Sequence, residues 1–192
     1  PPKSQSDIVL ADLAGMDDAR QWGERLANDI ALYRAGRIRW RDVDPGCVLH
    51  GPPGTGKTTF AKALAASCGL PLVATSFAEW QAADTGHLGS LLATMEGTFT
   101  RAREAAPCIL FIDELDSIPK RGGSSKETTY WNQVTNGLLK AIDGLADGVV
   151  ILGACNHPNL LDEALVRSGR MDRKIAIPLP DAKPRRQRRA HA

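Results

Sequence analysis

The feature that most constrains the fold is the segment Gly51-Pro-Pro-Gly-Thr-Gly-Lys57-Thr58, which fits the pattern GxxxxGK[ST]. It follows a short apolar run and leads into an alanine-rich stretch, residues 57–69, that is typical of a helix. Glycines in such a strand–loop–helix segment let successive backbone N–H groups face one point, which makes a nest for phosphate oxygens. The positive N-terminal end of the helix adds to the attraction. The segment therefore predicts a phosphate-binding loop.

Two side chains of this loop predict contacts with a nucleoside triphosphate. Lys57 can reach the β- and γ-phosphates, and the Thr58 hydroxyl can ligate Mg²⁺. The alternative, a glycine-rich turn without function, is disfavoured because the whole pattern lies between a strand and a helix. The residues expected to contact the nucleotide are Gly51, Pro52, Pro53, Gly54, Thr55, Gly56, Lys57, Thr58 and Thr59.

The rest of the chain alternates short apolar runs with amphipathic stretches. The runs predicted as strands are residues 46–51, 70–76, 108–113, 148–156 and 173–179. The stretches predicted as helices are residues 16–36, 57–69, 88–106 and 126–144. The run 108–113 is apolar without alternation, as in a strand buried on both faces. Strands alternating with helices predict an α/β fold with a parallel sheet covered on both sides.

Acidic residues end the third predicted strand, in the sequence CILFIDELD. Asp113 would lie beside the phosphate loop, where it can hold Mg²⁺ through water, and Glu114 can polarise the attacking water as a general base. The alternative is that both acids are surface charges. No geometric argument assigns a role in the site to Asp116, which is interpreted as a helix-start residue.

The segment 153–173 supplies polar groups after the fourth predicted strand. Asn156 directly follows that strand and could hydrogen-bond the γ-phosphate or the water held by Glu114. Arg167 and Arg170 could neutralise charge on a transferring phosphoryl group. From their spacing alone, surface salt bridges are the favoured interpretation of both arginines.

Composition limits the class of partner. A net charge of +2 is too small to imply a nucleic-acid partner, and the basic residues concentrate after residue 181. The four cysteines form no CxxC pair, and three lie in apolar runs, which favours buried thiols and a reducing, cytoplasmic location. No apolar run approaches the roughly 20 residues needed to span a bilayer.

The three motifs GPPGTGKT, PCILFIDELDSIPKRGG and GACNHPNLLDEALVRSGRMDR, in this order, resemble the AAA family of ATPases, including its zinc proteases and unfoldases. The resemblance implies a P-loop NTPase fold, a three-layer sandwich with a five-stranded parallel sheet in the order 5-1-4-3-2. It implies ATP and Mg²⁺ as ligands and a hexameric ring as the assembly. Asn156 matches the sensor-1 asparagine, and Arg167 and Arg170 match the arginine-finger positions that act on a neighbour's ATP. Asp12 and Ala14 lie where the family contacts adenine, although the family has glycine at the position of Ala14.

The resemblance also implies a division of the chain. Residues 1–15 form a linker, 16–181 the large α/β ATPase subdomain, and 182–192 a basic stub of the family's helical lid. The family's pore loop carries an aromatic-hydrophobic-glycine group, for which the segment TSFAEWQAADTGHLG offers only Trp80. Trp80 is either a pore residue or a packing residue.

The function predicted from these observations is Mg²⁺-dependent ATP hydrolysis that drives remodelling or unfolding of a macromolecule by a ring, with a protein favoured over nucleic acid as the substrate. Two alternatives stay open. One is a nucleotide-dependent scaffold or switch with little turnover, which the intact Glu114 disfavours. The other is a small-molecule P-loop kinase, which Asn156 and the two arginines disfavour.

Overall fold

A central sheet of five parallel strands organises the molecule. The structure, a computed structural model, describes residues 8–82, 88–123, 125–145 and 147–179. The strands are β1 (Gly46–His50), β2 (Leu72–Ser76), β3 (Cys108–Asp113), β4 (Val149–Cys155) and β5 (Arg173–Ala176). All five predicted strands are therefore confirmed, with ends shifted by up to three residues.

The strand order across the sheet is β2-β3-β4-β1-β5, and every neighbouring pair is parallel. This confirms the order 5-1-4-3-2 that the family resemblance implied. All seven residues of β4 are buried, as are the first five of β3. These strands lie inside the sheet with helices on both faces, which explains why their sequences are apolar without alternation.

Within the described residues, five α-helices cover the sheet. They are α1 (Asp17–Arg34), α2 (Lys57–Cys68), α3 (Phe77–Ala82), α4 (Leu88–Glu104) and α5 (Lys126–Asp143). The helices α1 and α2 pack on one face, and α3, α4 and α5 pack on the other. Successive strand residues alternate between the two cores: Leu110 joins the core beneath α4 and α5, whereas Ile109 and Phe111 join the other. The predicted three-layer sandwich is confirmed.

The short helix α3 was not predicted, and it decides the role of Trp80. The Trp80 side chain is 1% exposed and packs between Phe77 and Phe99. Its indole Nε1–H donates a hydrogen bond to Thr98 Oγ1 at 3.1 Å. A buried indole usually needs such a partner. The structure therefore supports the packing alternative for Trp80 and not the pore alternative.

The structure tests the predictions made for the cysteines but not the one made for the basic segment at the end of the sequence. All four cysteines are buried and unpaired, as predicted. Burial raises the pKa of the Cys155 thiol to about 12. The basic segment 182–192 lies outside the described residues, so the proposed division of the chain stays a prediction. Among the helices described, none has the length and apolar character to cross a membrane.

Candidate active site

The loop between β1 and α2 lies at the carboxyl ends of the parallel strands. Gly51, directly after β1, packs closely against the backbone of Ile177, where a Cβ would lie 2.1 Å from the carbonyl oxygen. Gly56 precedes α2 with φ of 93°, a left-handed conformation that glycine adopts without strain. A Cβ at Gly56 would also meet the Met16 side chain at 2.9 Å. The glycines therefore permit a tight turn that feeds directly into the first residue of α2.

Lys57, the first residue of α2, holds its ammonium group over this loop. Its Nζ donates to the carbonyl oxygens of Gly51 at 2.7 Å and Pro52 at 3.2 Å. A third bond goes to Asn156 Oδ1 at 2.8 Å. The residue is only 8% exposed, and none of these three acceptors is a carboxylate. The ammonium is thus a positive charge held in place by neutral acceptors.

Two oxygen atoms beside the loop fit a magnesium ion. The Thr58 hydroxyl donates to Asp113 Oδ2 at 3.4 Å, which joins the start of α2 to the end of β3. A hydroxyl and a carboxylate are ligands that Mg²⁺ accepts, and Mg²⁺ at phosphate sites typically takes one or two protein oxygens and keeps several waters. The oxygen atoms of Thr58 and Asp113, the two residues predicted to hold the metal, are therefore suitable ligands for Mg²⁺.

Glu114 has an unusual backbone conformation. Its φ is 60°, and in the described part of the chain no other non-glycine residue has a positive φ. Its exposed carboxylate accepts a long hydrogen bond, 3.4 Å, from the backbone N–H of Ala78 in α3. Left-handed backbone in a residue other than glycine costs about 1–3 kcal/mol and is frequent at functional sites. The conformation directs Glu114 away from the strand axis and into the cleft.

Most of the predicted residues converge on one cleft. Its volume is about 390 Å³, and Asn156 enters it from the end of β4. The lining residues are Pro53, Gly54, Gly56, Lys57, Thr58, Thr59, Asp113, Glu114 and Asn156. Gly51 and Pro52 contribute through the carbonyls that hold Lys57. Thr55 is buried within the loop, and its hydroxyl has no hydrogen-bond partner.

The two residues predicted at the adenine do not line this cleft. Asp12 and Ala14 lie in the segment before α1, which begins with a 3₁₀ turn, Leu10–Asp12. Leu10 N donates to Ser67 Oγ at 3.0 Å near the end of α2, and Met16 reaches Gly56 at its start. The segment therefore runs along α2 toward the phosphate loop, and the adenine contact stays a prediction.

The two predicted finger arginines also lie outside the cleft. Arg167 is exposed, and its side chain makes no hydrogen bond or ion pair with the described residues. It lines a separate cavity of about 470 Å³ with Lys120 and Asn136. Arg170 donates from Nε and Nη2 to both carboxylate oxygens of Asp143 at 2.7 Å, and this bond lowers the pKa of Asp143.

The hydrogen-bond partners of two acidic residues, Asp116 and Asp162, were not predicted from the sequence. Asp116 accepts backbone hydrogen bonds from Asn156 and His157. Asp162, which is buried, forms a two-pronged ion pair with Arg121, whose hydrogen bonds lower the pKa of Asp162 to about 2. The signal for Asp116 was its place two residues after Glu114. Nothing in the sequence showed which backbone groups it would meet.

Comparison with known proteins supports the interpretation of this cleft as the nucleotide site of an AAA ATPase. Residues 47–179 match the model of the "ATPase family associated with various cellular activities (AAA)". The chain is 42% identical over 190 residues to the ATP-dependent zinc metalloprotease FtsH of Pseudomonas putida, with 94% of this chain and 29% of the relative covered. It is 34% identical over 186 residues to human ATP-dependent zinc metalloprotease YME1L1, with 96% and 24% covered. The chain thus spans under a third of the length of these relatives.

Proposed function

Because the chain belongs to the AAA family of ATPases and carries its ATP-hydrolysing module, we propose that it works within a ring that remodels or unfolds a protein. One observation carries the assignment of the site. Lys57, Thr58, Asp113, Glu114 and Asn156, which come from three separate segments, all line one cleft at the carboxyl edge of the sheet. Ligands of open α/β sheets bind at this edge.

The loop and α2 bind the triphosphate in this proposal. Backbone N–H groups of the loop face the phosphate oxygens, and Lys57 contributes its charge to the β- and γ-phosphates. Thr58 and Asp113 hold Mg²⁺, directly or through water, and the ion when bound neutralises charge on the phosphates. The three acceptors use all three N–H donors of the Lys57 ammonium, so binding of the triphosphate exchanges some of these bonds for bonds to phosphate oxygens.

Glu114 and Asn156 act at the γ-phosphate end of the cleft. The Glu114 carboxylate takes a proton from the attacking water, which adds to the γ-phosphorus as the bond to the β-phosphate oxygen breaks. The products are ADP and phosphate. Asn156, which accepts from Lys57, lies where its amide can orient the water or the γ-phosphate.

We expect Glu114→Gln to bind ATP–Mg²⁺ with nearly unchanged affinity and to turn over at least about 100-fold more slowly, the lower range for losing a general base. The amide keeps the shape of the side chain but cannot accept the proton. Single-turnover hydrolysis measured with saturating protein checks this. Glu79→Gln, on neighbouring α3, is a control of the same chemical change. Unchanged hydrolysis in Glu114→Gln would assign the base to another residue.

Assembly in a ring is supported by the positions of the arginines. Arg167 lies outside the chain's own cleft, so it can serve as a finger only on ATP held by another subunit. The relatives are named as ATP-dependent proteases, which makes a protein the proposed substrate. The low net charge gives no support to nucleic acid. Cytoplasmic location stays a prediction from the cysteines.

The experiment that tests assembly is steady-state ATPase rate against protein concentration, with sedimentation in the same buffer. If the site needs a neighbour, specific activity rises with concentration as larger species form. A chain extended by the family's helical lid is measured in parallel, since that lid contributes to the subunit contact in the family. Specific activity that stays constant in both chains would contradict the ring. Negligible activity in both, with ATP bound, would instead support the scaffold alternative.

A further inference from the structure

A single carboxylate oxygen links the end of β3 to the end of β4. Asp116 Oδ2 accepts hydrogen bonds from the backbone N–H groups of Asn156 at 3.1 Å and His157 at 2.9 Å. The partners are 40 and 41 residues away along the chain. Backbone N–H groups at the end of a strand have no ladder partner, so a carboxylate that accepts two of them fixes the direction in which the chain leaves the sheet.

The turn that carries Asp116 is itself seated firmly on β4. The 3₁₀ turn Leu115–Ser117 follows Glu114, whose left-handed backbone redirects the chain. Leu115 is completely buried against Gly153, where a Cβ would lie 2.5 Å from the leucine Cδ1. Only glycine permits this approach without displacing the leucine. The carboxylate of Asp116 is therefore held opposite the backbone just beyond the end of β4, at Asn156, three residues after Gly153.

Asn156 is consequently held from two sides. Its backbone N–H is bonded to Asp116, while its side-chain Oδ1 accepts from Lys57 Nζ at 2.8 Å. If the backbone were released, the carboxamide would lose its defined distance from the lysine. The position of the Asn156 carboxamide in the cleft therefore depends on Asp116, which does not line the cleft itself.

We propose that Asp116 is a positioning residue of the ATP site, which holds the backbone of Asn156 and His157 so that the Asn156 carboxamide meets the γ-phosphate end of the cleft. The inference rests on the role proposed for Asn156. It gives Asp116 a function in telling ATP from ADP, because only ATP carries the phosphate that this amide would contact. ADP binding, which uses the loop and Lys57, does not require it.

The test measures the affinity of the chain for a non-hydrolysable ATP analogue with a β–γ imido bridge and for ADP, both with Mg²⁺, by calorimetry. We expect Asp116→Ala to lower the preference for the ATP analogue over ADP about tenfold, which corresponds to about 1.4 kcal/mol, with ADP affinity unchanged. Asp116→Asn is expected to keep the wild-type preference, because its amide oxygen can accept both backbone bonds while the NH₂ group replaces Oδ1, which bonds no group of the described residues. Ser117→Ala, an exposed change in the same turn, is the matched control.

Asn156→Ala separates this inference from the proposed site. If Asn156→Ala lowers the preference and Asp116→Ala does not, Asp116 has no positioning role. If Asn156→Ala has no effect, the role proposed for Asn156 is wrong. Equal losses of ATP-analogue and ADP affinity in Asp116→Ala, or an Asp116→Asn variant as impaired as the alanine variant, would also overturn the proposal.

A measurement on the wild-type chain covers the case in which Asp116→Ala does not fold. Amide hydrogen exchange, resolved by NMR, should show protection at the backbone N–H groups of both Asn156 and His157. The exposed N–H of a loop exchanges freely unless it is bonded. Exchange at the unprotected rate at both positions would show that the two bonds are absent in solution and would overturn the proposal.

Discussion

Replacing Arg167 by alanine is expected to lower the ATP turnover of the assembled protein by about 10³-fold or more, within the range found for arginine fingers. The affinity of a single subunit for ATP should stay nearly the same. Both expectations follow from the position of Arg167, which is exposed and lies in a cavity separate from the chain's own cleft. Its guanidinium can then neutralise phosphoryl charge only on a neighbour's nucleotide.

The measurement compares turnover at a concentration where sedimentation shows assembly with turnover where it shows monomer. Arg37→Ala is a matched control, since it removes an exposed arginine from a segment that does not line the cleft. A decrease in turnover that is the same in monomer and assembly would contradict action on a neighbour's ATP. Full activity of the assembled Arg167→Ala variant would exclude Arg167 as a finger.

Arg170 needs a separate control because it has an internal partner. Its two bonds to Asp143 and a third to the carbonyl oxygen of Ala164 mean that Arg170→Ala also removes contacts within the subunit. Asp143→Ala removes the ion pair and keeps the arginine. If Arg170 acts on a neighbour's ATP, Asp143→Ala retains turnover that Arg170→Ala loses. If the two variants lose turnover equally, the contribution of Arg170 lies in the ion pair.

Replacing Lys57 by alanine is expected to weaken ATP binding by about 10²–10⁴-fold, to below detection in an ordinary titration. The estimate takes two charge-assisted hydrogen bonds to phosphate at about 1.5–3 kcal/mol each, which together correspond to that range of affinity. Calorimetry with ATP–Mg²⁺ is the direct measurement. Lys62→Ala is the matched control, because Lys62 is an exposed lysine on the same helix.

Loss of binding in Lys57→Ala should occur without loss of the fold. The ammonium is buried among neutral carbonyl and amide oxygens, and burying a charge away from a carboxylate is costly. Its removal is therefore not expected to lower the unfolding temperature measured without nucleotide. Wild-type ATP affinity in this variant would contradict the assignment of the phosphate loop.

The sequence by itself determined the sheet and the chemistry of the loop. Runs such as residues 108–113 are apolar without alternation, and that pattern persists only where both faces of a strand are buried. The phosphate loop could also be predicted from the sequence, because its glycines, lysine and threonine all belong to one continuous strand–loop–helix segment. Features that depend only on residues close together along the chain can be predicted from the sequence.

The tertiary structure alone decided the features that join distant segments. Trp80 could not be assigned from its surroundings in sequence, because its role depends on Phe99 and Thr98, which lie on another helix. Asp116 was interpreted as a helix-start residue and does lie in the first turn of the 3₁₀ helix Leu115–Ser117, but the sequence did not show that its carboxylate would bond a backbone group 40 residues away at the end of β4. The order and register of the strands determine which carboxylate lies beside which backbone N–H group. A hydrogen bond depends on the distance between its two atoms, and residue spacing within one segment does not specify that distance.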